Sequence, residues 1–233
     1  MIDVRPFARL GSFENEWLKA RHHFSFGQYR DPSRMGVGAL RVWNDDEIAP
    51  GKGFDPHPHA DMEIITFVRE GAITHRDSLG NEGRTEAGDV QVMHAGTGIV
   101  HAEYNLEATP TRIFQIWITP RAPGVTPGWG TRAFPKETAG ELQVLADGRA
   151  DADGSALPLY ADGAVLAGTV KAGATVRQRL RPGRAAYLVA ATGSVRINGV
   201  PVGTRDGAAI ADEIDIAVSA DADAQIVLVD VAA

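Results

Sequence analysis

A chain of 233 residues with no cysteine has no disulfide, thiolate nucleophile or thiolate metal ligand, so any bound metal must be held by nitrogen and oxygen. Hydrophobic residues at 44% and charged residues at 23% exclude a disordered or membrane class, and a formal charge of −7 without a long Lys/Arg run excludes nucleic acid as a partner. No run of 18 apolar residues occurs, and MIDVRPFARLGSF has no basic stretch leading into an apolar one, so a cytoplasmic protein is expected.

Gly (26) and Pro (13) punctuate short apolar runs along the whole chain, and stretches with period 3.6 are hard to find, which predicts an all-β protein. The first series of strands is expected at Val37 to Trp43, Met62 to Val68, Ala72 to Arg76, Val90 to Met93 and Thr111 to Ile118. Residues 120–135, PRAPGVTPGWGTRAFP, read as a linker. A second series follows at Ala164 to Val170, Thr175 to Leu180, Ala185 to Ala190, Ser194 to Asn198, Ala208 to Ala211 and Gln225 to Val231. The division is placed at 130, giving an N-terminal domain 1–130 and a C-terminal domain 131–233. All seven histidines lie in the first, so the second has no imidazole for a metal of its own.

The chemistry concentrates in two clusters. In GKGFDPHPHADMEIITFVREG (51–71) an extended His57-Pro58-His59 projects both imidazoles from one face, because strand side chains repeat every two residues. Pro58 cannot donate to a ladder and suits a strand start or edge. Glu63 has the parity of the two histidines if the strand runs unbroken, as a ligand or as an acceptor behind the site. In GDVQVMHAGTGIVHAEYN (88–105) a strand leads into a Gly-rich loop, after which His101 and Glu103 share a face. Three imidazoles and a carboxylate suit Fe, Mn, Co, Ni or Cu and are acceptable to Zn. Four protein ligands leave one or two open coordination positions.

Residues 51–63 (Gly51, His57, His59, Glu63) and 88–105 (Gly88, Gly96, Gly98, His101, Asn105) resemble the two cupin motifs. More narrowly, RHHFSFGQY, LRVWNDDEI, HPHADMEIITFVREG, GDVQVMHAGTGIVHAEYN and FQIWITP resemble the pirin family, in particular its bacterial quercetinase-like branch. The similarity is strong over the first 135 residues and weaker to the C-terminus, through the Asn198-Gly199 turn and the last strand, IVLVD. The resemblance implies a bicupin of two β-barrel (jelly-roll) domains and one divalent transition metal per chain, iron in the first place, held by His57, His59, His101 and Glu103. It also implies an oxygen-dependent opening of the flavonol ring of quercetin with release of carbon monoxide, Glu103 serving as ligand and proton acceptor. The pattern departs from pirins at His94, where a small hydroxyl residue is usual.

Other residues have blander readings. His75 reads as a structural residue, and His94 as loop packing or as an orienting partner of His101 or Glu103. His22, Phe24 and Phe26 line the barrel mouth or pack the core; Phe114 and Trp117 read as core. The expected partners are a flavonol-like small molecule and dioxygen, with no nucleic acid or membrane, and the expected state is a monomer. The alternative from another class is a metal-dependent regulator that binds a protein partner; a metal-assisted isomerase or hydrolase is a third reading, and dioxygen consumption with quercetin separates the first reading from both.

Overall fold

The computed structural model describes residues 1–134 and 140–233. Alternating apolar residues, broken by glycine turns, give twelve strands in the first stretch: β1 (Ile2–Arg5), β2 (Gly11–Glu14), β3 (Leu18–His22), β4 (Leu40–Ile48), β5 (Gly53–His59), β6 (Glu63–Glu70), β7 (Ala72–Asp77), β8 (Glu82–Glu86), β9 (Val90–His94), β10 (Ile99–Tyr104), β11 (Thr111–Ile118) and β12 (Gly128–Arg132). Ten follow: β13 (Gln143–Asp147), β14 (Leu157–Pro158), β15 (Gly163–Val170), β16 (Thr175–Arg179), β17 (Arg184–Thr192), β18 (Val195–Ile197), β19 (Val200–Val202), β20 (Gly207–Ala211), β21 (Asp215–Ser219) and β22 (Ala224–Ala232). Among the described residues no α-helix occurs, and no helix is long and apolar enough to cross a membrane.

Each half stacks a seven-stranded sheet on a four-stranded one, the two-sheet jelly-roll build that the resemblance implies. The first half has the orders β12-β9-β6-β11-β4-β3-β2 and β5-β10-β7-β8; the second has β1-β20-β17-β22-β15-β13-β14 and β16-β21-β18-β19. The hairpin joining β18 and β19 turns on Asn198 and Gly199, both at positive φ (48° and 84°), the conformation that a two-residue Asn-Gly loop supplies. The two large sheets pack face to face: Trp43, Ile65, Phe67, Val92, Phe114 and Ile116 of the first half meet Val165, Tyr187, Val189, Val227 and Val229 of the second in one buried cluster. Period-two alternation then decides what each large sheet turns toward its small one. In the second half it is apolar, with Leu166, Leu188, Ile210, Ile226 and Leu228 filling the space. In the first half the same parity carries polar residues, Asn44 and Asp46 on β4 and Gln115 on β11, and the space is a cavity.

Three sequence expectations need correction. The stretch expected as a linker contains β12, which pairs with β9 (Trp129 opposite Met93), so a division at residue 130 falls inside a strand of the first half. Pro135 lies outside the described residues. The strand expected from Val37 begins at Leu40, with Val37 making only an isolated bridge to it. Finally, β1 is the edge strand of the second half, antiparallel to β20 with Ile2 opposite Ile210.

Candidate metal centre

The histidines come together through strand pairing. On the antiparallel pair β5–β10, His57 stands opposite His101 and His59 opposite Ile99, so His101 has one imidazole across from it and another on the diagonal. Pro58 is harmless because β5 is an edge strand. One ring nitrogen from each of His57, His59 and His101 lies within 4.8 Å of the other two, and among the described residues this is the group suited to a metal ion. Small side-chain rotations bring such donors to the roughly 3 Å separations that three nitrogens about 2.1 Å from one ion require.

The protonation chemistry fits a cation. Nδ1 of His57 is 2.7 Å from the carbonyl oxygen of Asp55, which can only accept, so Nδ1 carries the hydrogen and Nε2 keeps its lone pair. Nε2 of His101 is buried with no hydrogen-bond partner, an orphan that a metal would satisfy. Burial, reinforced by the nearness of the His57 ring, pushes the pKa of His59 down to about 4. Burial and the neighbouring histidines, against a small opposing effect of Asp77, push that of His101 down to about 3. Both are therefore neutral ligands near neutral pH.

Glu103, expected as a fourth ligand, lies outside this three-histidine group, one step along β10 past a register shift after His101, although it lines the same cavity. Oε1 accepts from Thr66 Oγ1 (2.9 Å) and Gln91 Nε2 (2.5 Å), and Oε2 accepts from Gln115 Nε2. With two donors on Oε1 and one on Oε2, the lone pair left over is on Oε2. Burial raises the pKa of Glu103, although His75, Thr66, Gln115 and His57 pull the other way. Burial also holds Asp46, on the same wall, well above the usual carboxylate range; Asp45 and Glu103 add to this and Arg69 opposes it.

The cavity is about 830 Å³, within the range of roughly 300–1,000 Å³ typical of small-molecule sites, and its wall includes the aromatic side chains of Trp17, Phe26, Phe54 and Trp117. Trp117, expected in the core, is half-buried and stands edge-on to His59 at 4.9 Å and 82°. Its neighbour Phe114 is core. His22 and Phe26 line the cavity, His22 fixed to Asn44 by a 2.8 Å bond, whereas Phe24 packs on Tyr187 in the inter-half core.

Glu63 is turned out of the site. Asp61 at φ 48° breaks the strand between β5 and β6, and Glu63 lies toward the second half, where Oε2 accepts from His94 Nδ1 (2.7 Å) and from the backbone N–H of Tyr160 (2.9 Å). His94 therefore supports Glu63 rather than His101 or Glu103. His75 is fully buried behind His101, where sequence reading had only a structural residue. The polar wall of Asn44, Asp46 and Gln115, and the Thr66 and Gln91 that hold Glu103, were also missed. Their signal is a polar residue at the inward parity of an otherwise apolar strand, as in IITFV, VQV and IFQIW.

With this geometry in view, the chain matches the Pirin family over residues 4–118 and the quercetinase C-terminal cupin domain over residues 148–231. It is 59% identical to a pirin-like protein of Caulobacter vibrioides over 233 residues, covering 100% of both chains. It is 41% identical to the quercetin 2,3-dioxygenase of Escherichia coli K12 over 231 residues, covering 99% of this chain and 98% of the relative. Among solved structures, the bacterial pirin YhhW from Escherichia coli in complex with nickel(II) superposes with a TM-score of 0.93 at 39% identity, covering 100% of this chain and 99% of that one. The three-histidine cavity thus sits in the first of two cupin domains, and the chain belongs to the pirin family.

Proposed function

We propose that the protein is a metal-dependent dioxygenase that opens the flavonol ring of quercetin or a related polyphenol with dioxygen, releasing carbon monoxide. The observation that carries this reading is a buried glutamate of raised proton affinity sharing a cavity, lined in part by aromatic side chains, with three clustered imidazoles. His57, His59 and His101 would hold one divalent transition metal, with Glu103 Oε2 as the fourth donor. Nickel(II) in the related Escherichia coli pirin and iron from the donor chemistry are the first metals to test. When bound, the metal supplies Lewis acidity and redox access to dioxygen.

The rest follows from the chain's own groups. Trp117, Phe54 and Phe26 offer flat apolar surfaces against which a fused aromatic ring system stacks, and they keep water from the reacting edge. As the substrate arrives, Oε2 of Glu103 would turn its one spare lone pair from the metal to the enolic 3-hydroxyl and take its proton, and burial, which raises the pKa of this carboxyl, favours the transfer. Thr66, Gln91 and Gln115 hold the carboxylate in place during the transfer. Asp46 Oδ1 and Gln115 Oε1 are buried without a partner, and hydroxyl donors on a polyphenol would satisfy both. Dioxygen uptake and carbon monoxide release by the metal-loaded chain with quercetin test the reading; a loaded protein that leaves quercetin unchanged overturns it.

A further inference from the structure

Three buried groups stand in line behind the metal centre. Asp77 Oδ2 is 3.0 Å from His75 Nε2, and His75 Nδ1 is 3.5 Å from His101 Nδ1, the longer link of the chain. At its far end is His101 Nε2, the orphan nitrogen facing His57 and His59. We propose that Asp77 and His75 form a relay that fixes the tautomer of His101, so that both are positioning residues for the metal. This rests on the three-histidine centre argued above.

The logic is one of donors and acceptors. Asp77 accepts four hydrogen bonds: Oδ1 from the backbone N–H groups of Leu79 (2.9 Å) and Asn81 (3.0 Å), and Oδ2 from Asn81 Nδ2 (2.9 Å) and from His75. An acceptor-only carboxylate obliges His75 to carry its hydrogen on Nε2. A neutral imidazole has one N–H, so His75 presents a lone pair at Nδ1. That lone pair draws the hydrogen of His101 onto Nδ1 and leaves Nε2 of His101 bare toward the metal site. The ring of His75 has little freedom to turn, because it stacks on Trp129 at 4.8 Å and 6°, and Trp129 in turn lies on Gly83, where an added Cβ would come within 2.2 Å of the indole. β12, the strand unforeseen in the sequence, is what brings Trp129 there.

Asp77→Asn gives a sharp test, because the conservative change should do the most harm. The amides of Leu79 and Asn81 still claim the side-chain oxygen at the Oδ1 place, which forces the new NH2 group toward His75 Nε2 as a donor. His75 then carries its hydrogen on Nδ1, and His101 must carry its own on Nε2, where the metal binds. In His75→Phe the stack on Trp129 is kept and His101 is free to choose its tautomer. Calorimetric titration of the full chain with nickel(II) is expected to show affinity falling about 10-fold in His75→Phe and about 100-fold in Asp77→Asn. Long-range 15N–1H spectra of the metal-free proteins should show His101 as the Nδ1–H tautomer in the wild type and as Nε2–H in Asp77→Asn. The relay is overturned if wild-type His101 is the Nε2–H tautomer, if Asp77→Asn binds nickel as the wild type does, or if His75→Phe is the weaker binder of the two. Undiminished nickel binding by His57→Ala would instead overturn the metal centre, while the tautomer spectra would still judge the relay.

Discussion

His57 and His101 face each other across neighbouring strands with ring centroids 4.5 Å apart, brought there by the register of the β5–β10 pair. The apolar cluster that holds the halves together lies on the far face of the large sheet, away from these rings. His57→Ala, His59→Ala and His101→Ala should each lose most of the bound metal while the metal-free chain keeps its strand content, at a stability cost of about 1 kcal/mol. Metal analysis beside circular dichroism checks this; variants that unfold would make the centre a folding element.

The two glutamates should behave differently. Glu103→Ala removes a donor and the proton acceptor, so metal binding weakens and flavonol cleavage is lost. Glu103→Gln is tolerated locally because Gln115, whose Oε1 has no partner, can turn its amide to accept from the new NH2 group; activity should then fall further than metal content. Glu63→Gln should keep the metal and part of the activity but cost roughly 1–3 kcal/mol, since the charge-assisted bonds to His94 and Tyr160 are weakened. Metal stoichiometry, quercetin decay and unfolding midpoints in the three variants decide it, and the assignment fails if Glu63→Gln empties the site while Glu103→Ala stays loaded.

Chelation should lower the thermal midpoint without removing the strands. Free metal at a hundredfold its Kd stabilises the native state by about 2.7 kcal/mol, or about 5–10 °C for a chain of this size. Thermal scans with and without a chelator measure the shift, and an unchanged midpoint would count against a site formed only in the folded chain.

Acid sensitivity should come in part from His23, which lies buried between the halves with Nδ1 2.9 Å from Tyr187 Oη. Burial first, then Arg5, Arg34, Arg205 and Arg69, push its pKa down to about 3. In the unfolded chain the value is about 6.5, so between the two the unfolded state binds a proton that the folded state refuses. Stability therefore falls as pH drops below about 6.5 and is indifferent to this group above it. The raised pKa of Asp46 works in the opposite direction, so the readout is the difference between variants. His23→Asn, which keeps a polar atom near the Nδ1 place, should show a shallower loss of thermal midpoint with acid than the wild type; equal slopes would remove His23 from the account.

Much of this was legible because strand parity is local. His57-Pro58-His59 declares its own geometry, and the Gly-rich loop before His101 announces the return strand. What stayed hidden depends on partners remote in sequence. Trp129 sits among prolines and glycines that read as linker, and only its pairing with Met93 makes a strand of that segment. Thr66, Gln91 and Gln115 look like interruptions of apolar strands until three chains of alternation point them at one carboxylate. His75 gave no signal, because its role depends on Asp77 and His101 lying on the same face of two adjacent strands.

The pairing of β1 with β20 bears on how the molecule is made. β1 waits for residues more than 200 positions later, since Ile2 lies opposite Ile210, and the anchor is reinforced when the Phe7 N–H reaches Asp206 at 2.7 Å. Such late closure is slow. Until it happens, Gly207–Ala211 offers a bare row of amides and carbonyls on an alanine-rich, uncharged edge, the kind of template on which foreign strands add. A C-terminal fragment cut free at the junction of the halves would carry that open edge permanently, so the few residues at the N-terminus act as a built-in guard against self-association of a domain that begins more than a hundred residues downstream.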